Sequence, residues 1–156
     1  MYAPYLGINF SNQEIEKELK RFKIRYSKIN NPSRIAAELL YKNFIIGWFQ
    51  GNAEFGQRAL GNRSILANPA NKNMKDIINL KIKKRESFRP FAPSVLKEEA
   101  HEWFEFNSKN DLEVPFMMKV LPIKKEKRKI IPAVCHVDGT GRLQTVTSKE
   151  NTFYYK

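Results

Sequence analysis

The sequence contains one cysteine, Cys135, and two histidines in 156 residues. A lone cysteine excludes an internal disulfide framework and suits a reducing, cytoplasmic setting. No uninterrupted apolar run is long enough to cross a bilayer. The opening Met-Tyr-Ala-Pro-Tyr-Leu-Gly lacks the basic-then-apolar order of a secretory signal. No internal repeat is visible, and no linker divides the chain. Acidic residues are also scarce, with 16 Asp+Glu against 28 Lys+Arg and a formal net charge of +12. Such a field attracts nucleic acid, nucleotides or phosphorylated metabolites, or marks a surface that faces an acidic partner. Charge alone does not choose among these.

What is present is enough apolar material for one globular domain, 42% hydrophobic and 12% aromatic. Ser11 and Glu14 form a capping box, after which Ile15, Leu19 and Phe22 recur at helical spacing as a buried stripe. Glu16 and Lys20 make an i,i+4 pair on the outer face. Asn31-Pro32 opens a second helix whose buried face is Ile35, Ala36, Leu39 and Leu40. Phe44 to Phe49 then reads as a buried strand, and a helix running straight into a buried strand suggests α/β layers. Ser64 to Ala67 is predicted as a short strand. A third helix starts near Asn73, buries Met74, Ile77 and Ile78, and ends near Ile82, where the chain becomes extended. In that extended stretch Lys83 and Arg85 project from one face. Two adjacent cations make sense with an anion between them; a solvated basic turn is the bland alternative.

Arg89-Pro90-Phe91-Ala92-Pro93 is stiffened by its prolines, so Arg89 is held on a rigid segment, with Phe88 and Phe91 as core plugs. Ser94 to Leu96 is predicted as a strand, Lys97 to Phe104 as a short helix with His101 on its surface, and 114–123 and 130–134 as further strands. Lys124 to Lys129 reads as a solvated hairpin tip. From His136 to Gln144, five polar residues alternate: His136, Asp138, Thr140, Arg142 and Gln144. They form a row on one side of an extended chain, with Gly139 and Gly141 able to bend it. Cys135, His136 and Asp138 resemble metal ligands, but no second ligand cluster accompanies them, and closed zinc sites want four donors. No metal site is predicted, and Cys135 is taken as a small buried strand residue.

The apolar run 44–49 delivers the chain into Gly51-Asn-Ala-Glu54-Phe-Gly56-Gln-Arg58-Ala-Leu-Gly61-Asn-Arg63-Ser64. A glycine-bearing loop with arginines presents N–H groups and guanidinium forks to an oxyanion. Gly56 and Gly61 have the spacing of a P-loop, but Asn62 and Arg63 follow where that motif needs Lys and Ser/Thr, so a P-loop NTPase is excluded. What remains is either an oxyanion site built on Arg58, Arg63 and Ser64, with Glu54 orienting a guanidinium, or a structural Arg–Glu network around a turn.

Four ordered blocks carry a family resemblance: Glu54-Phe-Gly-Gln-Arg58-Ala-Leu-Gly-Asn-Arg63-Ser64-Ile-Leu-Ala, Met74 to Asn79, Ile82 to Ser94, and His136 to Val146. The first closely resembles the E-F-G-x-R-A-L-G-x-R-S-I-L-A signature of the nodulation-factor and antibiotic O-carbamoyltransferases. The likeness covers nearly the whole chain. It implies a single domain over 1–156, the C-terminal YrdC-like domain of these enzymes. That domain is a mixed α/β fold with a twisted mixed sheet flanked by helices around an open basic cavity. It further implies a fragment lacking the N-terminal actin-like or sugar-kinase-like carbamoyl-transfer domain. The family's activity would make carbamoyl phosphate and ATP, with Mg²⁺, the ligands and carbamoyl adenylate the product. Lys83, Arg85 and Arg58 would then be catalytic. Arg63, Ser64, Arg89, His136, Asp138, Thr140 and Arg142 would bind substrate or nucleotide, and the metal-bearing part would be the separate domain. A non-catalytic basic module that binds RNA or a partner protein is the competing expectation.

Overall fold

The computed structural model describes residues 4–108 and 113–156. The fold is mixed α/β, and its strands pair two by two. Helix α1 (Asn12–Arg21) begins at the Ser11–Glu14 capping box, with the Ser11 N–H donating to Glu14 Oε2 at 2.8 Å. On its outer face Glu16 pairs with Lys20 at 2.8 Å and Lys28 at 2.7 Å. These two ammonium groups, together with the Tyr26 hydroxyl, hold its carboxyl down at about 2. Helix α2 (Pro32–Tyr41) has Asn31 as its side-chain cap and Pro32 in its first turn. Both helices bury less than their periodicity suggests. No residue of α1 is buried and Phe22 is 66% exposed, while Ala36 is the buried residue of α2 and Ile35 stays exposed. The apolar stripes are real, but among the described residues little packs on them.

Strand β1 (Ile46–Phe49) pairs antiparallel with β2 (Arg63–Leu66), in the register Ile46↔Leu66 to Phe49↔Arg63. The expected buried strand over 44–49 is a half-buried one. Its residues alternate, and Phe44 and Phe49 face outward. A two-stranded ribbon has only one face to cover, which is the physical reason. The loop 51–62 is closed by this ribbon.

The third helix differs from expectation. A single turn, α3 (Met74–Ile77), widens into a π-helical stretch over Ile78–Lys83, and Lys84 then takes a left-handed conformation at φ 46°. Helical backbone thus reaches Lys83 instead of ending in an extended run near Ile82. Lys83 and Arg85 share a side because a left-handed turn separates them, not because they alternate along a strand.

Strand β3 (Ser94–Leu96) pairs in parallel with β6 (Gln144–Val146), in the register Ser94↔Gln144 to Leu96↔Val146. Between them run a 3₁₀ turn (Lys97–Glu99), helix α4 (Ala100–Trp103) and a short antiparallel pair, β4 (Leu121–Pro122) with β5 (Thr140–Gly141). His101 lies on the surface of α4, as expected. The long strand foreseen over 114–123 is reduced to β4 and a bridge between Ile123 and Phe104. Over 130–134, Pro132 starts a 3₁₀ turn (Pro132–Val134) in place of a strand. Residues 125–130 form a turn in which Lys125 and Lys129 are solvated. Arg128 instead points inward and donates to the Ile123 carbonyl at 2.9 Å. Helix α5 (Thr152–Tyr155) ends the chain.

The main core joins Phe104, Val114, Ile123, Ile131, Val134 and Leu143, and a second cluster joins Met74, Ile78 and Ala133. Phe91 packs against both, as expected of a core plug. Phe88 does not; it is 75% exposed. Cys135 lies against the main core in extended backbone, and burial pushes its thiol upward.

Candidate functional site

Three chain segments, together with Met117, surround one open cavity of about 270 Å³. The first is the loop before β2 with β2 itself, which supplies Arg58 and Ser64. The second runs from the end of the π-helical stretch to β3 and supplies Lys83, Arg85 and Ser94. The third leads into β6 and supplies His136, Arg142 and Gln144, while Tyr154 of α5 closes one side. Parallel pairing of β3 with β6 draws the second and third segments together. The antiparallel β1–β2 ribbon presents the first.

Four cations therefore converge from positions far apart in the chain: Arg58, Lys83, Arg85 and Arg142. Among the described residues no carboxylate lines the cavity, and none of the four has an ion-pair partner. Positive charge concentrated in a concave, partly desolvated site draws anions strongly, and it is costly to leave unneutralised. A larger cleft of about 390 Å³ adjoins it, sharing Phe91, Ser94 and Tyr154. That cleft is walled mainly by apolar side chains such as Ala36, Leu40 and Trp48. Its cations are Lys75 and Lys156, whereas Arg58, Lys83, Arg85 and Arg142 all line the smaller cavity.

Arg85 is positioned by a residue that sequence reasoning did not single out. Asn79 is fully buried. Its Oδ1 accepts from Arg85 Nε at 2.7 Å, and its Nδ2 donates to the carbonyls of Ser87 and Arg89 at 3.1 and 2.9 Å. The Arg85 guanidinium also lies 4.9 Å from the centre of the Phe91 ring. A guanidinium held on two sides loses little freedom when an anion arrives. The available signal was that Asn79 closes one of the ordered motif blocks, directly after the apolar pair Ile77 and Ile78.

The other expected site residues are divided. Arg63 turns away from the cavity. Its Nη1 donates to the carbonyls of Gln50 and Asn62 at 2.5 and 2.9 Å, and its Nη2 donates to those of Ile8 and Gly51, both at 3.1 Å. The same guanidinium stacks 3.6 Å from the Phe49 ring centre. Arg89 is half exposed and pairs with Glu86 at 2.9 Å, outside the cavity lining. Asp138 and Thr140 do not line it either. The expected row from His136 to Gln144 is broken by a turn at 137–139, where Gly139 takes φ 83° and Val137 is thrown into solvent. Asp138 thereby folds back onto Thr140. Its Oδ1 accepts from the Thr140 N–H at 3.0 Å and from Thr140 Oγ1 at 2.7 Å. These two donors hold the carboxyl below its ordinary value. Thr140 Oγ1 in turn meets His136 Nδ1 at 2.9 Å.

Glu54 orients the loop's backbone, not a guanidinium. Its Oε1 accepts from the N–H groups of Leu60, Asn62 and Arg63 at 2.6, 2.8 and 3.3 Å. Burial alone would raise its carboxyl, but these donors outweigh burial and hold it below the usual range. Ser64 Oγ accepts from the Gly61 N–H at 3.0 Å. Behind this loop, Gln144 donates to the Leu60 carbonyl at 2.9 Å, and Ser94 Oγ bonds the Tyr154 hydroxyl at 2.9 Å. Among the described residues no group of three or more His, Cys, Asp or Glu side chains is placed to hold a metal.

The structure is a mixed α/β fold with a cavity lined by four cations. More narrowly, the profile of the Carbamoyltransferase C-terminus family matches residues 37–156, and the chain belongs to that family. It is 46% identical to nodulation protein NolNO of Sinorhizobium fredii and 44% identical to nodulation protein NolO of Bradyrhizobium diazoefficiens. Each alignment covers 99% of this chain, and 22% and 28% of those proteins. It is also 32% identical to the 3'-hydroxymethylcephem-O-carbamoyltransferase of Streptomyces clavuligerus, over 95% of this chain and 27% of that enzyme. The chain thus spans about a quarter of the length of these relatives. No helix among the described residues is long and apolar enough to cross a membrane.

Proposed function

We propose that this domain binds carbamoyl phosphate and ATP in the four-cation cavity and converts them to carbamoyl adenylate. A separate N-terminal domain of the carbamoyltransferase then carries the carbamoyl group to an acceptor hydroxyl. The observation that carries this reading is the convergence of Arg58, Lys83, Arg85 and Arg142 with no carboxylate among the described lining residues. The chief barrier to the reaction is bringing two polyanions together, and fixed cations lower it. The atoms balance with one water. Water releases phosphate from carbamoyl phosphate to leave carbamate, and a carbamate oxygen displaces pyrophosphate from the α-phosphorus of ATP. Arg58, Lys83 and Arg85 neutralise the phosphates, with Arg142 adding a fourth cation from the segment leading into β6. Ser64 offers a neutral hydrogen bond, while Gln144 and Ser94 bond each other and brace Leu60 and Tyr154. Mg²⁺ would enter as the counter-ion of the nucleotide and supply charge neutralisation on its phosphates. Positioning and electrostatics carry the chemistry, and no general base is assigned.

The test combines product and binding. The chain is incubated with ATP, Mg²⁺ and carbamoyl phosphate, and carbamoyl adenylate is sought by mass spectrometry. Calorimetry then compares ATP and carbamoyl phosphate binding in the wild type, Lys83→Ala and Arg85→Ala. Each substitution should weaken binding about tenfold or more, roughly 1.4 kcal/mol. Unchanged affinity in folded variants removes those residues from the site. The +12 charge supports a second reading, a basic module for RNA. Steeply salt-dependent RNA binding with indifference to carbamoyl phosphate would favour it.

A further inference from the structure

A ring of three side-chain amides ties the end of the chain to the loop that carries Arg58. Asn62 Oδ1 accepts from Gln50 Nε2 and from Asn151 Nδ2, both at 2.9 Å. Gln50 Nε2 gives its second hydrogen to Asn151 Oδ1 at 2.7 Å, and Gln50 Oε1 accepts from the Trp48 indole at 2.9 Å. Asn62 Nδ2 donates to the Asn52 carbonyl at 2.7 Å. The partners thus orient all three amides. Asn151 also caps α5, its Oδ1 accepting from the Tyr154 N–H at 3.2 Å. A serine or aspartate would cap a helix as well. The amide adds the donor that reaches Asn62.

From Tyr154 the bonds continue around the cavity. Ser94 Oγ donates to Gln144 Oε1 at 3.2 Å. A hydroxyl has one hydrogen, so in the 2.9 Å contact with Ser94 it is the Tyr154 hydroxyl that donates. Gln144 Nε2 then donates to the carbonyl of Leu60, two residues before Asn62. The path through Asn62, Asn151, Tyr154, Ser94, Gln144 and Leu60 closes on itself. It passes through the Arg58 loop, α5, β3 and β6, and Tyr154, Ser94 and Gln144 line the cavity.

We propose that Asn151 is a positioning residue for the four-cation cavity. Through Asn62 it holds the loop that presents Arg58, and through Tyr154 it holds that loop against β3 and β6. The inference rests on the carbamoyl-phosphate reading of the cavity and deepens it. Glu54 gathers the N–H groups of Leu60, Asn62 and Arg63, and so sets the loop's own shape. Shape alone does not place Arg58 relative to Lys83, Arg85 and Arg142, which arrive on other segments. Asn151 and Gln144 supply that placement from outside the loop. Small misplacements of a binding group are expensive, so the residue that sets the distance between walls governs affinity without touching the ligand.

Asn151→Ser tests this, because serine keeps an oxygen to cap α5 and removes the amide bonds to Gln50 and Asn62. The first measurement is amide hydrogen exchange on the ligand-free 156-residue chain. Exchange at Leu60 and Asn62 should quicken about tenfold in the variant. The Gln144 N–H, bonded to the Pro93 carbonyl at 2.9 Å, should keep its rate. Unchanged exchange at Leu60 and Asn62 overturns the proposal. An equal rise at all three sites marks a general loss of stability and overturns it as well. The second measurement is calorimetry with carbamoyl phosphate. Asn151→Ser should weaken binding about five- to tenfold in the wild-type background. It should add little in an Arg58→Ala background and act in full in an Arg85→Ala background, since Asn79 holds Arg85 independently. Full additivity with Arg58→Ala overturns the positioning role. A wild type that does not bind carbamoyl phosphate overturns the reading of the cavity instead, and the exchange rates then decide this inference alone.

Discussion

The Oδ1 of Asn79 holds the Nε–H of Arg85 at 2.7 Å, and the Arg85 backbone N–H donates to the Asn79 carbonyl at 3.0 Å. One buried residue therefore fixes both the main chain and the side chain of a cavity cation. The π-helical widening over Ile78–Lys83 and the left-handed Lys84 are the local geometry that makes this double contact possible. Asn79 also ties down the segment leading to Arg89 through its two amide donors.

Asn79→Ala should therefore act partly through Arg85. We expect a loss of stability of about 1–3 kcal/mol from the abandoned buried partners, and weaker ATP binding in the fraction that remains folded. A double-mutant cycle separates the two effects. If Asn79 works through Arg85, Asn79→Ala adds little to the binding loss in an Arg85→Ala background. Additive binding losses would make Asn79 a purely structural residue.

Arg63 and Arg58 should behave differently although both belong to the same motif. Arg63 is committed to four carbonyls and the Phe49 ring, so Arg63→Ala should cost about 2–4 kcal/mol in urea unfolding. Arg58, free of such bonds and facing the cavity, should show the reverse pattern, with a small stability change and a large loss of carbamoyl phosphate affinity in Arg58→Ala. The idea fails if Arg58→Ala destabilises the chain more than Arg63→Ala.

Gly61→Ala tests how α5 seats against the loop. Gly61 has φ 106°, and a Cβ there would sit 2.5 Å from Tyr154 Cδ1. The backbone conformation and the clash both oppose any side chain, so a cost of about 2 kcal/mol or more is expected. Tyr154 lines the cavity and bonds Ser94. Its displacement should show as increased tyrosine exposure in ultraviolet difference spectra. A variant as stable as the wild type would show that α5 does not seat against this loop.

Glu54 makes part of the stability pH-dependent. Its carboxyl is held below the ordinary value of 4.5 by the N–H groups of the loop, against the opposing effect of burial. A depressed folded-state value means that its contribution is complete above the unfolded value and is lost as pH falls through the folded one. Thermal unfolding between about pH 6 and pH 2 should show this acid limb in the wild type and a shallower one in Glu54→Gln. The variant should be less stable at pH 7 by about 1–3 kcal/mol, because an amide oxygen is a poorer partner for three N–H donors than a carboxylate. Parallel acid limbs would show that Glu54 contributes nothing through its charge.

Signals that act within a turn or two of chain were legible without coordinates. Ser11 with Glu14, Asn31 with Pro32, and Glu16 with Lys20 stand as read, because a cap or an i,i+4 pair needs only its near neighbours. The ordered motif blocks likewise sufficed for the family. An apolar run over 44–49, alternation over 114–123 and bulk over 130–134 describe a half-buried ribbon, a short bridge and a proline-led turn as well as they describe strands.

Which cations share the cavity was decided by tertiary structure alone. Arg58, Lys83, Arg85 and Arg142 meet because β3 pairs with β6 and because a left-handed residue turns the chain at Lys84. Arg63 lies five positions beyond Arg58, at the start of β2, and points elsewhere. The Ile8 carbonyl that receives its Nη2 comes from a segment 55 residues away. Sequence determined that this chain carries the arginines, lysine and glycines from which an anion site can be built. Only the folded backbone, by bringing distant carbonyls to one guanidinium and leaving others open, decided which of them are free to bind.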